Sequence, residues 1–235
     1  MTLKNILVAL VLAAPLLGCN EGRKPYGQEQ PLFLPGARRQ AWAVAPVINL
    51  SGQRQVDPLL QADLLYQQLQ QVQGVTAIPV NRVAEVYAKL RIEKVESEEQ
   101  AALVCNLLGC DGLVVGTVTL YDPYNPPKVG ASLQVLRPGD FSRAANVDVR
   151  DLARRASPDE NASLPKRGSF VQVAGMFDSA NGSVRARLFH YAGGRNDPVG
   201  PYGEMEYLMD ADRYCGFVYF ALLEELLQKP QLARE

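Results

Sequence analysis

The 235-residue sequence has one histidine and four cysteines, and its charges nearly cancel, with 25 acidic against 24 basic residues. Each shortage removes a class of function. A Ser-His-Asp or Cys-His arrangement would have to use His190, and no GxSxG or comparable nucleophile context accompanies it. Between Phe189 and Tyr191, His190 reads as a structural or surface residue. Cys19, Cys105, Cys110 and Cys215 follow no zinc spacing, because neither a CxxC nor a paired histidine is present. Three cysteines beyond Cys19 do not make a disulfide scaffold; Cys105 and Cys110 read as buried free thiols, and only a helix ending near Leu107 or Leu108 would bring them close enough to bridge. The balanced charge gives no basic patch for nucleic acid or for an anionic lipid surface. Gly109-Cys110-Asp111-Gly112 lacks the lysine and the spacing of a phosphate loop, and it leads from helix into strand, the reverse of what a phosphate site needs. Asp210 and Asp212 lack a twelve-residue calcium loop, so nothing calls for a metal or a cofactor. The pairs Glu98/Glu99 and Glu224/Glu225 read as a favourable helix start and a solvated helix face.

No apolar run reaches the ~20 residues of a membrane span. The longest, Ile6 to Leu17, follows Lys4 and has the length of a signal-peptide core. It closes in Leu16-Leu17-Gly18-Cys19, which resembles the lipobox cut by the lipoprotein signal peptidase. That resemblance implies residues 1–18 as a lipoprotein signal, a diacylglyceryl thioether on Cys19 and acylation of its new amino group. Attachment to the bilayer through acylated Cys19 is the expectation, because two or more chains hold where one binds only marginally. Asn20, where an aspartate would favour inner-membrane retention, points to the outer membrane, facing the periplasm.

From Cys19 to Gln40, prolines, glycines and charged residues leave no period, which predicts a flexible tether. Residues 41–228 read as one α/β domain, with 229–235 as a tail. Ala41 to Leu50 is a buried strand weakened by Pro46. Asp57-Pro58 starts a helix with Leu59, Leu60, Leu64, Leu65, Leu69 and Val72 at helical spacing, stopped by Gly74. Val75 to Pro79 is a strand, Asn81 caps a second helix, and Ser97-Glu98-Glu99-Gln100 opens a third with a capping box. Gly112 to Tyr121 is the clearest strand, and Lys128 to Leu136 its hairpin partner. Asp140 to Gly168 reads as an insertion holding a short helix at Val147 to Ala156. Ser169 to Phe177 is a strand, Val184 to Tyr191 leans to helix, and Tyr207 to Leu227 reads as one long amphipathic helix. The fold class is therefore α/β, a mixed sheet with a parallel βαβ core, antiparallel hairpin strands and packed helices.

Ala43-Val44-Ala45-Pro46-Val47-Ile48-Asn49-Leu50-Ser51-Gly52 resembles the V-A-V-L-P-F-x-N-L-S-G opening of the TolB amino-terminal-like superfamily. Leu108 to Thr119 is similar to that family's lG-a-D-a-v-v-v-G-x-v-t stretch, with Cys110 where a small residue is usual. The group includes envelope lipoproteins that activate a penicillin-binding protein or serve curli secretion. The resemblance implies a periplasmic domain that binds an envelope protein, with no shared catalytic residues. The loop Tyr121-Asp122-Pro123-Tyr124-Asn125-Pro126-Pro127 combines aromatic area with pre-ordered backbone, so Tyr121, Asp122, Tyr124 and Asn125 are the candidate partner contacts. A carboxylate-based hydrolase or a glycan-binding protein stays open as the alternative; close carboxyl groups lining a cleft would distinguish it.

Overall fold

The computed structural model describes residues 31–36, 38–137, 170–197 and 200–232. The expected signal segment, Cys19 and the expected insertion at 140–168 with its helix lie outside the described residues. Strands β1 (Leu32–Phe33), β2 (Gln40–Val44), β3 (Ile48–Asn49), β4 (Val72–Gln73), β5 (Val75–Ile78), β6 (Gly112–Asp122), β7 (Lys128–Leu136) and β8 (Phe170–Asp178) alternate with helices α1 (Pro58–Gln70), α2 (Val80–Leu90) and α3 (Glu98–Leu108). After β8 come α4 (Gly182–Ala192), a 3-10 turn, α5 (Glu206–Met209) and α6 (Ala211–Leu227). The main sheet has the order β5-β2-β6-β7-β8; β5, β2 and β6 are parallel, and β6-β7-β8 is an antiparallel meander. The mixed α/β architecture expected from the sequence is the one observed.

Alternation along the strands builds two cores. Trp42, Val44, Val114 and Val118 face α1 and α6, where Leu65, Leu69, Phe217 and Leu222 complete a buried layer. Ala43, Ala45, Leu113 and Val115 face the other way, under Val83, Tyr87, Ala101 and Val104 of α2 and α3. Each buried leucine contributes roughly 1.5–3 kcal/mol relative to an exposed one. Three buried tyrosine hydroxyls are paired across helices or to the sheet: Tyr219 donates to Gln61 Oε1 at 2.9 Å, Tyr191 to Gln68 Oε1 at 3.0 Å and Tyr214 to the Phe177 carbonyl at 3.1 Å.

Several elements differ from the sequence reading, each for a local reason. The strand expected over Ala41–Leu50 splits at Pro46, which has no N–H for a ladder. The Val47 N–H instead turns to the Pro58 carbonyl at 3.1 Å, and β3 resumes pairing on β6. Pro79, not Asn81, is the residue before α2; Asn81 Oδ1 accepts from the Arg82 N–H inside the first turn. Helix α1 ends at Gln70, so Val72 belongs to β4 and not to the helix face. Leu32–Phe33, expected in the tether, pairs in parallel with Val72–Gln73, and Leu32 and Leu34 are buried. The expected Tyr207–Leu227 helix breaks at Asp210, whose extended backbone lets its carboxylate cap α6 by accepting from the Asp212 and Arg213 N–H groups. Helix α6 is buried continuously from Tyr214 to Leu223, so it is a central helix and not an amphipathic one. Glu224 and Glu225 are not a free solvated face, because Arg187 grips them at 2.7 and 3.0 Å. In the expected tail, Leu232 is buried and Arg137 donates to the Gln231 carbonyl.

Candidate partner-binding surface

The chain enters the sheet at the amino ends of the parallel strands, where β1 and the start of β2 lie beside β4 and β5. Two loops leave the opposite, carboxyl ends: the β3–α1 loop and the β6–β7 loop. Carboxyl ends of parallel strands are where α/β sheets present ligand-facing loops. Eleven residues of β6 set the two ends up to roughly 35 Å apart, at about 3.3 Å per residue.

The β3–α1 loop is wound around one side chain. Asn49 Oδ1 accepts from the Ser51 N–H at 3.0 Å and its hydroxyl at 2.7 Å, while Asn49 Nδ2 donates to the Gln53 and Val56 carbonyls at 2.8 and 3.3 Å. The Gln53 N–H closes on Ser51 Oγ at 3.2 Å, and Gly52 takes a φ of 73° that favours glycine. The effect is to hold Leu50 outward, 66% exposed.

The β6–β7 loop stands beside it. Asp122 Oδ1 accepts from the Tyr124 N–H at 3.2 Å, an Asx turn. The Ser179 N–H donates to the Pro127 carbonyl, and Lys128 pairs with Asp178 at 2.8 Å, fixing the base of the loop. That lysine, followed by the Ala180 N–H, holds the Asp178 carboxyl below its ordinary value. Tyr124 is 72% exposed at the tip, with Asp122 and Asn125 also in solvent. Tyr121 is not at the tip. It is 9% exposed and joins the core under α6, where burial above all, then the nearby Cys215, Asp212 and Asp210, pushes its phenol up to about 12.

Between the loops lies a cleft of about 490 Å³, floored by Leu120 and Tyr121 and walled by Ser51, Gln53 and Gln55 on one side and Asp122 to Tyr124 on the other. The structure thus brings together Tyr121, Asp122 and Tyr124 of the expected set, while Asn125 sits beyond the cleft. Ser51, Gln53, Gln55 and Leu50 were missed as contacts. Their signal was present in the Asn49-Leu50-Ser51-Gly52 stretch, where an apolar residue sits inside a turn sequence.

A second cleft, of about 270 Å³, opens between α1, α4 and α6, over Gly216. Arg195 donates there to Gln71 Oε1 at 3.1 Å and lies 4.2 Å over the Tyr191 ring. At its rim the Asp212 carboxyl is raised by burial and then by Asp210. Among the described residues no three His, Cys, Asp or Glu side chains cluster in a way that could hold a metal, and no helix is long and apolar enough to cross a membrane. His190 is exposed on the last turn of α4.

No protein-family model and no curated protein matches the sequence. Among solved structures it is similar to the LpoB C-terminal domain from Salmonella enterica, at 9% identity over 61% of this chain and 85% of that one, with a TM-score of 0.40. A PelC dodecamer variant from Paraburkholderia phytofirmans is similar at 11% identity over 85% and 94% of the two chains, TM-score 0.40. A lipoprotein from Neisseria meningitidis is similar at 14% identity over 50% and 99%, TM-score 0.34.

Proposed function

We propose that this chain is an exported lipoprotein, anchored in the outer membrane through acylated Cys19 and facing the periplasm, whose α/β domain binds an envelope protein without catalysing a reaction. On this reading it is an adaptor or an assembly or regulatory factor. The observation that carries the reading is the polarity of the sheet. The chain segment that follows the anchor enters at one end, and the two loops with exposed Leu50 and Tyr124 leave from the other. A lipid-tethered domain built this way offers its contact loops away from its own membrane. The tether raises their effective concentration for partners in that layer. An exposed tyrosine at the rim of a small cleft suits a protein partner, because tyrosine is enriched among the few residues that contribute most of the binding energy at interfaces.

The test is a photocrosslinking residue placed at Tyr124 in cells, with a control at exposed Lys89 of α2. Adducts of one defined envelope protein from position 124 and none from position 89 support the reading. Equal adducts from both positions, or a purified chain that cleaves peptidoglycan fragments, overturn it. Palmitate-analogue labelling of the wild-type chain, lost in Cys19→Ser, tests the anchor separately.

A further inference from the structure

Helix α3 stops at Gly109, whose φ of 66° lies in the left-handed region. The next residue, Cys110, turns back and donates its N–H to the Cys105 carbonyl at 3.0 Å. This is the six-to-one bond of a Schellman stop, a motif that frequently brings the side chains of the two residues it joins into contact. In most helices that contact is between apolar groups. Here the two residues are both cysteines, and each thiol is the largest influence on the other's proton affinity.

We propose that Cys105 and Cys110 form a dithiol oxidation site, which a disulfide-bearing small molecule or protein converts to an internal disulfide. Three geometric facts carry this. With N and O 3.0 Å apart, bond lengths and the bend at the carbonyl carbon limit the Cα–Cα separation to about 7 Å at most, the distance beyond which a disulfide cannot form. On a continuing helix the pair could not meet; the left-handed Gly109 makes the meeting possible. Both side chains lie in the core layer under α2 and α3, with Cys105 1% and Cys110 7% exposed.

The chemistry assigns different tasks to the two sulfurs. A hydrogen bond from Cys105 favours the Cys110 thiolate most, helped by backbone N–H groups at Ala43 and Gly112, and holds this thiol below its ordinary value. The same hydrogen bond, followed by burial, holds the proton on Cys105. Cys110 Sγ, the less buried of the two, therefore attacks one sulfur of the oxidant, and the other leaves as a thiolate. The Cys105 thiol then loses its proton to solvent or to that thiolate, and its sulfur attacks Cys110 Sγ. The bond to the oxidant breaks and a second thiol is released. Two protein thiols are oxidised and one disulfide is reduced to two thiols. Cys215, 1% exposed in the other core layer, has no such partner among the described residues. The site itself needs only the oxidant, while its use in cells rests on the export reading, since exported chains meet oxidising conditions.

The experiment uses the reduced full-length chain. It is held folded with oxidised glutathione, quenched with iodoacetamide in denaturant and digested with trypsin, which leaves both cysteines on the peptide 95–128. The expected result is a peptide that takes no label until reduced and then takes two, formed roughly tenfold faster than any modification of Cys215. In Cys105→Ala, glutathione remains attached to Cys110. Full double labelling of the folded wild-type peptide, or a glutathione adduct that persists on it without resolving, overturns the proposal. Because the assay is run on purified protein, a failure of the export reading leaves its outcome unchanged.

Discussion

Tyr121 and Tyr124 are three residues apart in one hairpin, and replacing each by alanine separates folding from recognition. Tyr121→Ala empties a buried ring position beneath α6, where its 9% exposure leaves little room for water to compensate. Aromatic-to-alanine changes in cores cost about 3 kcal/mol or more. For a domain of this size that corresponds to a drop of roughly 6–12 °C in the thermal midpoint. Tyr124→Ala removes a ring that is 72% exposed and leaves the Tyr124 backbone N–H on Asp122, which alanine keeps. Its stability cost lies within about 0.5 kcal/mol. Thermal unfolding followed by circular dichroism measures both, and partner capture from detergent-solubilised membranes is measured alongside. Tyr124→Ala is expected to lose partner yield at an unchanged midpoint. If the two variants lose the same stability, the assignment of one ring to the core and the other to the tip is wrong.

Three further outcomes follow from single contacts. Gly216→Ala should raise stability by about 0.5–1 kcal/mol in a urea titration, because a Cβ there meets Gln68 Nε2 at 3.5 Å and Tyr191 Oη at 3.6 Å, ordinary contacts, while the helix gains a better former. Asp57→Ala should cost about 1 kcal/mol by the same titration, since Asp57 Oδ1 accepts from the Leu59 and Leu60 N–H groups at the start of α1. The Asp178 carboxyl is held below its unfolded value by Lys128, so its contribution is present above the ordinary carboxylate range and is lost as the pH falls through the depressed folded value. The stability gap between wild type and Asp178→Asn should therefore be largest near neutrality and close in acid, as chemical denaturation across pH would record.

Much of the architecture is written in local chemistry. Asp57 and Ser97 cap their helices as their side chains predict, Gly109 ends α3, and the run Gly112 to Tyr121 pairs with Lys128 to Leu136. The two-residue pairing of β1 with β4 has no period to read, so it left no trace in the sequence pattern. The fate of Tyr121 was hidden for a different reason. Strict alternation from Val114 and Val118 would put Leu120 in the core and Tyr121 outside. The register shift between Val118 and Leu120 reverses the parity, so Tyr121 faces α6 instead. Likewise Asp210 reads equally well as a helical surface residue or as a cap, and only the turn before it decides. The candidate surface was half legible, because its two loops are about 70 residues apart and their meeting depends on β3 pairing with β6.

The position of α6 has a kinetic consequence. The larger core runs in one cluster from Leu32 to Leu232, and Leu65 and Leu69 of α1 are covered by the last helix of the chain. Loop closure over such separations is slow, and contacts this distant in sequence reward the chain only late. A growing chain can therefore form its hairpin and its early helices, but α1 keeps an uncovered leucine face until Phe217 to Leu226 is available. Folding of this half of the molecule waits for its carboxyl-terminal helix, and a chain cut before Tyr214 is expected to collapse without closing its core.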